Sequence, residues 1–332
     1  MKNSMMRRRN ITYPWTHWVL TGFLCLFFYI MGTHMSPGPS DDPVSAAVQA
    51  GTRPREALPE EKLASLGLSK WWTTPSLTKL ERSAWEERPQ VKLLRSTLEE
   101  FWDKDVPSRS KDLSPAASKV LVSGKHKMEE SLDLAFLAHA TNAAAIVETG
   151  MAIASSTVAL LGSLYTRDES DTFVDSLTVH SIDPFQKGGF GGAGLDHIEL
   201  ALEKFGQTFE GYKVREPSHV FHLNYASVSM GELYDSSYSA DFIFMDDGHK
   251  YDDNIVELYF ATKMLRQGGF LVIDDAWMPS VVATLEYATS NLPFVQIHGL
   301  YKRGVVLLKT GDDHRVWDFH ERFCTPENVG KF

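Results

Sequence analysis

The chain has 332 residues, 43% of them hydrophobic, a formal net charge of −10 and two cysteines. That length and apolar content exclude a chain disordered throughout, and the acidic surplus excludes a protein whose main business is gripping nucleic-acid phosphates. Cys25 and Cys324 can build neither a disulfide framework nor a cysteine metal cluster.

Residues 1–14 form a basic tail with Lys2, Arg7, Arg8 and Arg9, followed by an apolar run over 15–31 that contains Val19, Leu20, Phe23, Leu24 and Phe27. At 1.5 Å per residue this run covers roughly 25 Å, slightly less than a hydrocarbon core. Trp15, Trp18 and Tyr29 are placed to sit at the interfaces. The basic flank stays cytoplasmic under the positive-inside rule, so the expectation is a type II anchor with the rest of the chain in the ER or Golgi lumen. The alternative is a cleaved signal peptide and secretion. The sequon Asn10-Ile11-Thr12 lies on the cytoplasmic side of such an anchor.

Residues 32–59, rich in Pro, Gly, Ser, Asp and Ala, read as a flexible stem. Over 60–113 a helical pattern returns in Leu80, Trp85, Val91, Leu94, Leu98 and Phe101, interrupted by prolines at 75, 89 and 107. It is expected to be a helical preamble or lid, which Trp71-Trp72 packs onto the domain.

From 114 to 332 the chain alternates short apolar runs with amphipathic stretches, the signature of a doubly wound α/β domain with a mostly parallel sheet. Strands are predicted at Ala145–Thr149, Leu177–Asp183, Val220–Tyr225, Asp241–Asp246, Phe270–Asp274, Phe294–His298 and Gly304–Lys309. Helices are predicted near 155–165, 195–206, 227–235, 252–266 and 279–291, the fourth stopped by Gly268-Gly269. Only five residues join the last two strands, too few for a parallel crossover, so they are expected to form an antiparallel hairpin.

The first strand runs into Glu148-Thr149-Gly150-Met151-Ala152-Ile153-Ala154-Ser155-Ser156-Thr157. One glycine at a strand's carboxyl end admits close backbone approach to a ligand, and the hydroxyls sit at a helix N-terminus that favours an anion. The three glycines of a dinucleotide fingerprint are missing. The alternative is that Glu148 only caps and Ser155 only starts the helix. The second strand ends in Asp183-Pro184, across the crevice from Gly150 and suited to ribose hydroxyls, unless it only initiates a turn. The glycine-rich segment 187–194 is a candidate lid or a plain loop.

The densest cluster is Asp246-Asp247-Gly248-His249-Lys250-Tyr251 with Asp274-Asp275, at the carboxyl ends of the predicted fourth and fifth strands. Three converging aspartates repel one another unless a hard cation such as Mg²⁺ or Ca²⁺ neutralises them. Otherwise they act separately, Asp246 on a cofactor and Asp275 as a helix cap.

These landmarks, in this order over about residues 124–309, resemble the class I S-adenosylmethionine-dependent O-methyltransferases, particularly the catechol/caffeoyl-CoA-like and sugar O-methyltransferase branch. The resemblance implies a seven-stranded sheet with a terminal antiparallel hairpin and S-adenosylmethionine as cofactor. It implies that Glu148, Gly150, Ser156 and Thr157 hold the methionine portion, Asp183 the ribose, Ser227 the adenine edge, and Asp246, Asp274 and Asp275 a divalent metal, Mg²⁺ in the first instance. Asp246 also borders the cofactor. His249 falls near the family's basic residue and is the candidate general base. Asp247 is its rival, and a role for His249 in orienting the aspartates is the alternative. Two departures stand out: Ala154 replaces a second glycine, which alanine's small size renders cheap, and Asp247-Gly248 inverts the usual order. The implied acceptor is a small molecule or a glycan, reached by segments that include Trp277. A catalytically inactive, membrane-tethered binding module is the other functional reading.

Overall fold

The computed structural model of the protein describes residues 82–109, 115, 117–118, 128–167, 177–212, 216–297, 301–316 and 319. All belong to the second of two units, Met1–Glu56 and Ala57–Phe332. The expected basic tail, anchor at 15–31, stem and Trp71-Trp72 lie outside the described residues. Among the described residues no helix is long and apolar enough to cross a membrane.

Seven strands, β1 (Ala145–Thr149), β2 (Thr178–Ile182), β3 (Ser218–His222), β4 (Ala240–Met245), β5 (Leu265–Ile273), β6 (Phe294–Ile297) and β7 (Val305–Lys309), form one sheet. Their order is β3-β2-β1-β4-β5-β7-β6. The first five pair in parallel, whereas β7 runs antiparallel to both β5 and β6. The expected hairpin is therefore present, and the strand order reverses between β1 and β4, where an open sheet forms its crevice.

Alternate strand residues feed two cores, as the two-residue period of a pleated strand requires. Ile146, Phe242, Phe244, Phe270 and Val272 face one core with α1 (Pro89–Glu100), α2 (Met128–Ala140), α3 (Ser155–Tyr165) and α4 (Ala193–Phe209). Val147, Ile243, Met245, Leu271 and Ile273 face the other, covered by α5 (Ala226–Asp235), α6 (Tyr251–Met264) and α7 (Pro279–Asn291).

The described part of the preamble belongs to the domain core. Pro89 does not interrupt the helical pattern; it opens α1, at the position where its missing N–H costs nothing. Val91, Leu94 and Leu98 are buried along α1, and a π-helical turn over Phe101–Asp105 buries Phe101 and Trp102. Gly162 in α3 is the point of contact: a Cβ there would lie 2.5 Å from Leu94 Cδ1 and 3.1 Å from Phe205.

Gly268-Gly269 also corrects the expectation. They do not stop α6, which ends at Met264, but lie inside β5, where the β4–β5 register shifts between Ala240 and Phe242. Gly268 has a φ of 81°, and a Cβ on Gly269 would come within 2.7 Å of the Asp241 carbonyl. Asp241, at the amino end of β4, is a structural clamp. Its carboxylate accepts from the Ala144 and Ala145 amides at 2.7 and 2.8 Å and pairs with Arg266 at 2.5 Å.

Candidate active site

The carboxyl ends of β1, β2, β4 and β5 meet around Gly150. Its φ is 81°, and a Cβ there would stand 1.9 Å from the Asp246 carbonyl oxygen, so only glycine allows the two loops to touch. The Gly150 amide donates to Ile182 O at 2.9 Å, and the Asp246 amide to Thr149 O at 3.0 Å. Ala152 and Ala154 also have positive φ, 47° and 66°. At Ala154 the issue is thus conformation and not size: alanine carries a left-handed backbone that glycine adopts freely.

Asp183 is 2% exposed and holds this loop in place. Its carboxylate accepts from the amides of Ala152 and Phe185, each at 2.7 Å, and from Gln186 Nε2 at 3.1 Å. Gln186 in turn receives the Gly194 amide at 3.1 Å. A Cβ on Gly194 would meet Ala152 O at 2.5 Å, so the end of the glycine run is packed under the first loop. Glu148 and Thr157 are fully buried and hydrogen-bonded to each other, and Ser181 donates to Glu148 at 2.9 Å. They brace the loop from beneath. Ser156 is buried in the first turn of α3.

Beside Asp183 opens a pocket of about 410 Å³, lined by Phe185, Tyr225, Ser227, Asp247, His249 and Glu257 among others. The Phe185 and Tyr225 rings meet edge to face at 6.4 Å. Burial raises the Asp247 carboxyl's pKa, and the charge of Asp183 adds to the shift. Beneath lies Glu257, 1% exposed, accepting from Thr149 Oγ1 at 2.7 Å. Burial, with Asp247 nearby, pushes its pKa up to about 8.

On the other side of Asp246 is the acidic centre. Ligand-type atoms of Asp246, His249 and Asp275 lie within 4.8 Å of one another, the group of this kind found among the described residues. His249 Nε2 is 3.1 Å from Asp275 Oδ2. Asp275 has a φ of 49°, a strained backbone for a non-glycine residue. Burial, then repulsion from Asp274, pushes Asp246 well above the ordinary carboxylate range.

Asp274 stands apart from the expected aspartate trio. Its side chain is fully buried and its Oδ2 lies 3.0 Å from Arg303 Nη2, which is also 3.1 Å from Asp275 Oδ1. His249 takes the third place in the close group. The inverted Asp247-Gly248 pair also finds its geometry: Asp247 sits with Asp183 while His249 bonds to Asp275.

Sequence reasoning missed Arg303 and Glu257. The signal for Arg303 was available in the antiparallel hairpin, since a final strand reversed against β5 begins at the carboxyl end of β5. Gly304 makes the approach possible, because a Cβ there would lie 2.0 Å from Ile273 O. Trp277, 72% exposed, donates to Asp275 Oδ1 at 3.1 Å and forms an aromatic rim beside the centre.

No protein-family model and no curated protein matches the sequence. Solved structures that resemble the chain include an O-methyltransferase from Bacillus cereus in complex with SAH, at 19% identity and a TM-score of 0.40. That match covers 64% of this chain and 89% of the other. The O-methyltransferase TomG from Streptomyces achromogenes, in complex with SAM, matches at 18% and 0.42, covering 64% and 98%. CalS11, a TDP-rhamnose 3'-O-methyltransferase of calicheamicin biosynthesis, matches at 14% and 0.44, covering 68% and 96%. The seven-stranded order with its reversed β7 is the sheet expected from the sequence. Which chemistry the fold carries is decided by the residues of this chain.

Proposed function

We propose that this chain is an S-adenosylmethionine-dependent O-methyltransferase that transfers a methyl group to a hydroxyl of a small molecule or a glycan. One observation carries the reading: the Gly150 loop, Asp183 and the Asp246–His249–Asp275 group converge on one crevice at the sheet's switch point. The methionine carboxylate suits the α3 N-terminus behind Gly150. The nucleoside suits the pocket lined by Asp247, Phe185, Tyr225 and Ser227, with Asp183 holding the Phe185 amide.

When bound, S-adenosylmethionine supplies an electrophilic sulfonium methyl. Asp246 and Asp275 fit a hard divalent cation, for which Mg²⁺ is the first choice, and it would supply a Lewis acid at the acceptor oxygen. Asp275 holds His249 through Nε2–H, a tautomer assigned from that contact, which leaves Nδ1 to take the acceptor's hydroxyl proton. With that proton gone, the acceptor oxygen would be free to take the methyl group, and a methyl ether and S-adenosylhomocysteine would be the products. Trp277 supplies an exposed ring against which an acceptor stacks.

Titration calorimetry with S-adenosylmethionine and S-adenosylhomocysteine tests the cofactor: saturable heat is expected, and its absence for both overturns the assignment. Radiolabelled methyl transfer to a panel of hydroxylated acceptors, with and without chelator, tests the metal. The apolar run at 15–31 and its basic flank further support a type II anchor with a lumenal catalytic domain. Alkaline carbonate extraction should leave the protein with the membranes; full release overturns the anchor.

A further inference from the structure

Arg303 sits where the chain's own positive charge meets its acidic centre, and its surroundings define what it does there. Its Nη2 is 3.0 Å from Asp274 Oδ2 and 3.1 Å from Asp275 Oδ1, and its Nη1 is 3.8 Å from Glu130 Oε2. We propose that Arg303 is an exchangeable counterion, and that a divalent cation and the Arg303 guanidinium compete for the same carboxylates. This rests on the metal reading above and deepens it.

Three features support exchange. The Asp274 side chain has no exposure to solvent. A carboxylate so buried carries a heavy desolvation cost unless a positive charge stands against it, so ionised Asp274 favours a cation beside it. Arg303, by contrast, is 30% exposed along its side chain and reaches the site from the turn before β7. Its carbonyl accepts a 3.3 Å hydrogen bond from the Ala276 amide, a contact that holds the backbone while leaving the side chain to swing. Arg therefore serves Asp274 from the solvent side and has somewhere to go.

Charge supplies the second argument. Around the one guanidinium stand Asp246, Asp274, Asp275 and Glu130. One positive charge does not neutralise Asp274, Asp275 and Glu130 together, so the centre still attracts a divalent cation. A cation on Asp246 and Asp275 would, in turn, lie beside the guanidinium and repel it.

The third argument is the division of Asp275. Its Oδ1 faces Arg303 and the Trp277 indole N–H, while its Oδ2 faces His249. Moving Arg303 away releases Asp274 and one contact of Asp275 together and leaves the His249 contact intact. Asp274 thus becomes a ligand in the cation-bound protein, in line with its place in the aspartate motif, and has Arg303 as its partner otherwise.

The test is Mn²⁺ binding to the full-length protein without cofactor, followed by calorimetry and by the electron paramagnetic resonance of free Mn²⁺. Arg303→Gln should bind Mn²⁺ about tenfold tighter than wild type, which corresponds to about 1.4 kcal/mol of relieved competition. Chelator-stripped Arg303→Gln should melt below wild type, and saturating Mn²⁺ should close that gap. Equal affinities overturn competition and leave the metal reading standing. Weaker binding by the variant overturns it by making Arg303 an organiser of the ligands. Binding by the variant alone shows a permanent guanidinium and overturns exchange. No binding by either protein overturns both the exchange and the metal reading. Should Arg303→Gln not fold, the wild-type Arg303 Nε resonance, identified by its loss in Arg303→Lys, carries the test. It should shift in step with Mg²⁺ binding, and a resonance that stays in place overturns the proposal.

Discussion

The two halves of the crevice are held by different physics. Around Gly150 and Asp183 the contacts that set the loop involve backbone: Asp183 accepts from two amides and Gly150 packs against a carbonyl, while Glu148 and Thr157 bond side chain to side chain beneath. Around Asp275 the contacts join charged side chains, with His249, Arg303 and Trp277 all converging on one carboxylate. Backbone contacts fix a surface before any ligand arrives, whereas side-chain ion pairs can be exchanged at modest cost. A cofactor whose shape never varies suits the first half; a reacting centre that must handle protons and charge suits the second.

The sharpest way to break this contrast is Gly150→Ala. A Cβ 1.9 Å from the Asp246 carbonyl forces both loops apart, and we expect cofactor binding to be lost together with about 3 kcal/mol or more of stability, read by calorimetry and denaturant unfolding. His249→Gln probes the other half. It should lower kcat about 10²- to 10³-fold while cofactor affinity stays within a few-fold, because no backbone contact is disturbed.

Glu257→Gln tests the boundary between the two. The folded carboxyl has its pKa raised from 4.5 to about 8, so its contribution is fully present below pH 4.5 and is lost as pH rises through 8. Wild type should therefore lose stability between about pH 5 and 8, and the variant should lose about 3 kcal/mol less over that range, measured by urea unfolding. A variant with the same pH slope would remove Glu257 as the cause. Ala154→Gly carries the smallest expected effect, a gain of about 0.5 kcal/mol, since relief of the left-handed alanine is partly offset by a more flexible unfolded chain. A loss of stability there would contradict the backbone assignment.

How far the sequence reveals this arrangement depends on the range of the forces involved. The bounds of β1 match the expectation residue for residue, because a short β-rich run ending in Thr149-Gly150 is a local pattern. The hairpin was legible from five connecting residues, and Asp246 and Asp275 from their places after apolar runs. Pro89 and Gly268 misled because the same residue types break one element and begin or bulge another, and only tertiary context separates the cases. Glu257 was hidden on an amphipathic helix where an acid ordinarily faces water; its burial follows from Thr149, a residue 108 positions away. Arg303 was legible only in combination: the expected hairpin brings it to the carboxyl end of β5 once β7 is known to pair with β5.

That pairing also gives the site an order of assembly. A ribosome delivers the chain from its amino end, so Asp246, Asp274 and Asp275 have all been synthesised before Arg303 and β7 exist. The parallel part of the sheet can gather the carboxylates, but the arginine that offsets them arrives only as β7 is laid against β5. Among the described strands the last to be made is thus the one that brings the acidic centre its counter-charge.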